Sequence, residues 1–455
     1  MVTIIVQISK ILMLLFMALF VLDSFLGIKE KDTLKKGFYI KRQRAVMFIV
    51  HFLGNIAILA VKQELLYFLF YALEIVILCI FILIFNNLYV RSSKFIVNNL
   101  CMFTIIGFII LVRLNFNMAL KQLVFFAVAV AIAALIPWII KKVTSLPNYA
   151  WLYCGLGILL LSVVLAIATV SHGAKLAITL GPIRIQPSEF VKISYVFFLA
   201  SMLQKKKSFR NVVLISILAA THVLILVASR DLGAALLFFV TYMFMIYVAT
   251  KDLRYLITIA FGGAISAVAA YYLFSHVRIR VLAWKDPFAV IDGAGYQVSQ
   301  SLFAIGTGGW FGTGLYQGLP HSIPVVEKDF IFSAISEELG LIFALLLVLL
   351  SMNCLLLFFD IAMKIKNQFY RLVILGFSVL YGAQVFLTVG GATKFIPSTG
   401  VTYPLVSYGG SSLFSTVIMF SVIQGIYILK ENEGEQIAKK RKTNQNIKTC
   451  KKNKS

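Results

Sequence analysis

The sequence predicts an all-α polytopic membrane protein with about 13 transmembrane helices, on three observations. Of its 455 residues, 60% are hydrophobic and 13% charged, whereas soluble chains carry about a quarter charged residues. The apolar residues gather in runs long enough to cross a bilayer, at about 20 residues per span. The 42 Lys and Arg against 18 Asp and Glu, a net charge of +24, sit mostly in short clusters between those runs, as the positive-inside rule describes. A soluble enzyme, a disulfide-rich secreted domain and a disordered chain are thereby excluded. The basic excess needs no nucleic-acid partner. Cys79, Cys101, Cys154, Cys354 and Cys450 have no metal-site or disulfide-framework spacing.

The first run, 3–26, is too long and too weakly flanked for a cleaved signal peptide, so it reads as a retained span. Further runs follow at 45–61, 65–85, 100–112, 120–140, 149–169, 190–203, 212–227, 232–249, 256–274, 330–359, 372–389 and 411–429. Alternate connections carry Lys29, Lys31, Lys35, Lys36, Lys41, Arg42 and Arg44, then Arg91 and Lys94, then Lys141 and Lys142. The same set continues with Lys205, Lys206, Lys207 and Arg210, then Lys251 and Arg254, then Lys364, Lys366 and Arg371, and ends in a tail with Lys439, Lys440, Arg441 and Lys442. An odd span count puts all of them on one side, predicting a cytoplasmic carboxyl terminus and an external amino terminus. The opposite face then carries long connections at 170–189, 275–329 and 390–410, where a membrane enzyme keeps its chemistry.

Four constellations stand on that face. In Gly181-Pro-Ile-Arg-Ile-Gln-Pro-Ser-Glu-Phe-Val-Lys192, Ser188 and Glu189 suit a helix start, and Glu189 and Lys192 stand three apart on one helix face. Spacing alone serves a cap with a structural ion pair equally well. Ser229-Arg-Asp-Leu-Gly233 reads as a turn with a local ion pair. The large loop holds Arg278, Arg280, Trp284 and a Gly-rich run from Gly306 to Gly314. That run lacks the Lys-Ser/Thr ending of a nucleotide loop and is better explained by close backbone packing of a re-entrant segment. At its end Asp329 precedes Phe330, Ile331 and Phe332. Apolar neighbours raise a carboxylate's pKa, which suits a general base, while a helix N-cap is the structural alternative. Glu337 and Glu338 follow, one expected to face inward and the other solvent or a partner. The fourth constellation is Gly390-Gly-Ala-Thr-Lys-Phe-Ile-Pro-Ser-Thr-Gly400 with Thr402-Tyr-Pro-Leu-Val-Ser-Tyr-Gly-Gly-Ser-Ser412, rich in small residues and hydroxyls. Glu74 and His222 are lone ionisable groups within spans, each either functional or engaged in an interhelical hydrogen bond.

Taken in order, the motifs resemble the shape, elongation, division and sporulation family of bacterial membrane proteins, which includes FtsW, RodA and SpoVE. The matching stretches are Ile185-Gln-Pro-Ser-Glu-Phe-Val-Lys192, Asp231-Leu-Gly233, Gly295-Tyr-Gln-Val-Ser-Gln-Ser-Leu302, Ala304-Ile-Gly306 with Gly308-Gly309, Asp329-Phe-Ile-Phe332 with Glu337-Glu-Leu-Gly340, and Pro404-Leu-Val-Ser-Tyr-Gly-Gly-Ser-Ser412. The resemblance implies a ten-helix core (98–430) with a large extracytoplasmic loop (275–329); the three extra amino-terminal helices (1–97) lie outside it, and a basic cytoplasmic tail (431–455) follows. It implies a glycosyltransferase that polymerises lipid II into glycan strands at the outer face of the cytoplasmic membrane, working with a class B penicillin-binding protein. Asp329 matches the family's proposed catalytic aspartate. Arg184, Gln186, Glu189 and Lys192 match a polar cluster lining the cavity, and Arg280, Lys394 and Ser407 complete the implied substrate-binding set. No cofactor is evident; a bound divalent cation could help, but no ligand set in the sequence demonstrates one. Departures are Ala177 where the family often has Trp, Ile323-Pro-Val325 for Leu-Pro-Glu, Lys328 for Thr, and Arg230 for Pro. A lipid II flippase and a non-catalytic scaffold are the rival readings. A flippase would often carry internal repeats, and none is visible.

Overall fold

A computed structural model describes residues 1–168, 177–180, 183–205 and 208–452, the side chains of 180, 183 and 435–452 excepted. Lys206, Lys207, the basic side chains of the tail, and parts of the 170–189 connection lie outside it. Three helices come first: α1 (Val2–Lys29), α2 (Thr33–Lys62) and α3 (Leu65–Leu83). Then follow α4 (Lys94–Leu114), α5 (Phe116–Lys142), α6 (Ala150–Ile167), a hairpin of β1 (Ile178–Leu180) and β2 (Ile183–Ile185), α7 (Pro187–Leu203), α8 (Phe209–Ala228), α9 (Leu232–Thr250) and α10 (Leu253–Leu273). The large loop contains α11 (Ser275–Lys285) and α12 (Tyr296–Gly308), and the chain closes with α13 (Ile331–Glu338), α14 (Leu341–Lys364), α15 (Gln368–Ala392) and α16 (Gly410–Lys452). Twelve of the helices are long and apolar enough to span. The 17-residue α7 stands in the place of the seventh expected run and is not among the twelve.

Local chemistry fixes many of the boundaries. Asp32, Asn115, Ser208, Asp231, Asp252 and Asn367 each accept a backbone N–H at the start of the helix that follows, satisfying donors that a helix leaves orphaned at its first turn. The short run 100–112 extends at both ends into the 21-residue α4. That helix is buried along its whole span because α2 and α5, with α14 and α16, pack around it. No residue of α10 is buried, so it lies at the periphery.

The run 330–359 is not one helix. It breaks at Leu339–Gly340, with Gly340 at φ 95°, a conformation that favours glycine. The Gly-rich run packs into the break. A Cβ on Gly340 would lie 2.5 Å from the Gly312 nitrogen, and one on Gly312 would lie 2.4 Å from the Glu338 carbonyl oxygen. Thr313 and Gly314 amides donate to the Glu337 and Glu338 carbonyls (2.9 and 2.8 Å), and Leu341 donates to Gly309 O (2.9 Å). Close backbone approach is therefore what these glycines provide. Both Glu337 and Glu338 are buried, correcting the expectation of one outward: Glu338 pairs with Arg113 of α4 at 2.8 Å, and Glu337 accepts from Leu319 N at 2.7 Å.

The ends of the bundle are distinct. Gln7 and Lys10 of α1 bond to the large loop at Thr313 and Gly312. At the other end Ser93 exchanges hydrogen bonds with Gln424 of α16, and Arg91 bonds Asn432. The amino end of α1 thus shares an end with the large loop, and the start of the tail shares the other with the Arg91 loop.

Candidate active site at the loop end

Two polar groups stand at the large-loop end, joined by the 398–412 segment. The first is built on α7. Pro187 at the first helical position suits a helix start, and Gln186 rather than Ser188 is the N-cap residue. One turn in, Glu189 and Lys192 pair at 2.6 Å as their spacing allows. Lys192 also donates to Gln384 Oε1 of α15 (3.0 Å), and Ser415 of α16 donates to Glu189 (2.8 Å). Gln384 in turn donates to Thr402 O at 3.0 Å. Asp231 is not in a purely local turn. It caps α9 while accepting from Ser188 (3.0 Å) and Gln186 (3.3 Å), and Gln186 N donates to Ser411 Oγ (3.1 Å).

The second group surrounds Asp329. A turn at Val325 and Glu327–Lys328 hold this carboxylate in place from the backbone. Lys328 N donates to Val325 O (3.1 Å), Tyr408 N to Glu327 O (2.7 Å) and Ser407 Oγ to Lys328 O (2.5 Å). Gln122 of α5 locks the same segment, donating to Ser407 O (2.9 Å) and accepting from Gly409 N (3.0 Å). Arg280 donates to Ser398 O at 3.2 Å. A Cβ on Gly400, at φ 74°, would lie 3.7 Å from both Arg280 Nη2 and Asp329 Oδ2, so the two side chains flank this glycine. Trp284 Nε1 donates to Lys394 O at 3.2 Å.

Asp329 is not an N-cap: α13 begins after Phe330 with no side-chain cap. Its carboxylate is half-buried and accepts no hydrogen bond among the described residues, with only the charges of Arg280 and Lys328 near it. Burial pushes the carboxyl above its usual 3.8, and those two cations pull the other way. Val325, Lys394, Leu405 and Arg230 hold positive φ (57°, 60°, 66° and 61°) in these loops. Strain of about 1–3 kcal/mol per residue persists where surrounding structure over-determines it, commonly at functional sites.

The expected residues divide. Gln186, Glu189 and Lys192 come together, and Arg280 joins Asp329. Arg184 is exposed on β2 opposite Thr179 and bonds to none of the described cluster. Lys394 contributes its carbonyl, and the Ser407 hydroxyl is engaged within the loop, accepting from Tyr403 N at 3.0 Å. Gln384, Gln122 and Lys328 are the additions. The two glutamines could have been found as lone amides in apolar runs. Glu74 meets His51 of α2 at 2.9 Å, and His222 bonds Leu218 O on its own helix, both away from the site. Among the described residues no three His, Cys, Asp or Glu side chains converge as a metal site. A cavity of about 290 Å³ between α14 and α15 is lined by apolar groups such as Val348, Leu355 and Phe386, with no charged side chain, so it is not the reaction centre.

A bundle of twelve helices long and apolar enough to span, with a carboxylate and cations gathered at one end, defines a multi-pass membrane protein. Residues 95–432 match the FtsW, RodA and SpoVE family model, described as a cell cycle protein, and the chain belongs to that family. It is 36% identical over 326 residues to the peptidoglycan glycosyltransferase RodA of Mycobacterium tuberculosis (strain ATCC 25618 / H37Rv), covering 67% of this chain and 69% of that one. It is 31% identical to the probable peptidoglycan glycosyltransferase FtsW of Aliivibrio salmonicida, over 68% and 79% of the two chains. The fold matches a chain in a structure described as the coordination of polymerization and crosslinking by a peptidoglycan synthase complex. There the TM-score is 0.64 at 26% identity, covering 74% of this chain and 98% of that one.

Proposed function

We propose that this chain is a peptidoglycan glycosyltransferase that extends glycan strands from lipid II, with Asp329 as its general base. The observation that carries the assignment of the base is a half-buried carboxylate that accepts no hydrogen bond among the described residues yet stands beside two cations. An acceptor hydroxyl gives its proton to Asp329 and its oxygen attacks the donor's anomeric carbon. The bond from that carbon to the pyrophosphate oxygen breaks, and polyprenyl pyrophosphate leaves with the electron pair. Arg280 and Lys328 offset the charge growing on the leaving group. Lys192, already paired with Glu189, serves instead to hold α7 against α15 and the 398–412 segment. Each of these steps uses side chains of the chain itself.

The positive-inside pattern supports placing the large loop and the amino terminus outside the cytoplasmic membrane, with the tail in the cytoplasm. A class B penicillin-binding protein is the expected partner for crosslinking, which similarity to the synthase-complex chain supports. The test is polymerisation by purified protein supplied with lipid II. Glycan strands are the expected product; translocation of lipid II without polymer would contradict the assignment.

A further inference from the structure

Gln7 and Lys10 lie on α1, outside the 95–432 region shared with the family. Lys10 is buried and its amine donates to Gly312 O at 2.8 Å. Gln7 Nε2 donates to Thr313 O at 2.7 Å and to Gln317 Oε1 at 2.8 Å. A lysine within an apolar span is costly unless its amine reaches water or a strong acceptor, and such a side chain ordinarily snorkels toward the interface. This one is instead committed to a glycine-loop carbonyl.

Thr313, which accepts from Gln7, is also one of the two loop residues that hold α13, and Gly312, which accepts from Lys10, is its chain neighbour. Thr313 and Gly314 donate to the last two carbonyls of α13, at Glu337 and Glu338. All eight residues of α13 are buried; the helix is about 12 Å long at 1.5 Å per residue, with Asp329 just beyond its far end. The opposite side of the loop is clamped from α2 and α4: Lys62 and Arg113 stand over the Tyr316 ring at 5.3 and 4.5 Å, and Arg113 donates to Gly318 O at 3.2 Å. A contiguous set of bonds therefore runs from α1 through the glycine loop and α13 to the backbone at Phe330, the residue that follows Asp329.

We infer that Gln7 and Lys10 are positioning residues for Asp329, so that α1 braces the catalytic loop as well as packing on the core. The inference rests on the reading of Asp329 as base. Their acceptors on this loop include two backbone carbonyls of its glycine-rich part, so these bonds set where the loop sits. A small displacement of a reacting group can cost about 10²-fold in rate, so partial loss of the brace should fall short of that.

The test compares steady-state polymerisation of lipid II by the purified full chain, with melting temperature measured on each sample. In Gln7→Leu/Lys10→Met, turnover should fall about tenfold while KM stays within about twofold. Lys10→Arg, which keeps charge and donor, should stay within about twofold of the parent. Arg42→Met, which breaks an ion pair between α1 and α2, should lower the melting temperature without changing the turnover of folded protein. Should Lys10→Met fail to accumulate, Gln7→Leu alone carries the test, with a smaller fall in turnover. Parental turnover in the double variant, or a loss that Arg42→Met reproduces, overturns the inference. Asp329→Asn run alongside separates the two levels: if it polymerises normally the base assignment fails, and if it is inactive while the α1 variants match the parent, only the brace fails.

Discussion

Each end of the bundle carries an aspartate with an arginine nearby, and the two pairs are built differently. At the Arg91 end, Asp23 is fully buried and takes both arms of the Arg42 guanidinium, Nε donating at 2.8 Å. Around it Gln43 donates to Ser24 (2.6 Å), Asn98 to Gln43 (3.1 Å) and Asn99 to Asn353 of α14 (3.1 Å). At the large-loop end Asp329 has cations nearby and accepts no hydrogen bond among the described residues. Arg280 bonds a backbone carbonyl instead. A buried polar group that is fully bonded specifies packing; one whose lone pairs are left open retains capacity for a ligand or a proton. The difference separates a carboxylate committed to structure from one proposed to react.

Exchanging Asp329 for its amide, and separately removing the arginine that pairs with Asp23, should break the comparison most sharply. Asp329→Asn is expected to lower polymerisation about 10²–10⁴-fold, the usual contribution of a positioned base, with an unchanged melting temperature. Glycan gels and a thermal melt on the same preparation check both. Arg42→Met should do the reverse. Stranding Asp23 should destabilise the chain by about 2 kcal/mol, less than the 3–5 of a wholly buried pair because Arg42 is 33% exposed; the thermal melt reads this, and the folded fraction should keep its turnover.

Arg280→Lys should reduce polymerisation by more than about tenfold, or about 1.4 kcal/mol, because the forked geometry is lost while the charge remains. Arg278→Lys, two residues away, should be tolerated. Equal losses would reduce the Arg280 contribution to general electrostatic attraction. The smallest effect expected is on pH. A base works deprotonated, so activity falls as pH drops through its pKa. Arg280 holds the Asp329 pKa down against burial, so in Arg280→Gln the acid limb of kcat/KM should move to higher pH. Movement to lower pH would contradict the pairing.

The apolar helices of the bundle and the basic clusters between them were legible in the sequence, since both follow from transfer of apolar and charged groups into a bilayer. The Asp329 motif and the Glu189–Lys192 pair were legible too, one by its place at a loop end and the other by helical spacing. The break at Gly340 was not, because a single glycine within a helical pattern does not by itself end it and the interruption is held by amides of the distant glycine run. The same limit hid the β1–β2 hairpin and the roles of Gln122 and Gln384, whose partners are remote in sequence. Arg184 shows the converse. It belongs to a recognisable motif, yet in the structure its side chain is exposed and outside the bonded cluster.

The central claim is that Asp329 acts in the chemical step and is not needed for holding substrate. Single-turnover polymerisation by Asp329→Asn, with lipid II binding measured on the same sample, tests this most directly. The expected result is binding within about twofold of the parent with the bond-forming step slowed by at least about 10². Parental single-turnover rates, or a loss explained wholly by weaker binding, would contradict it.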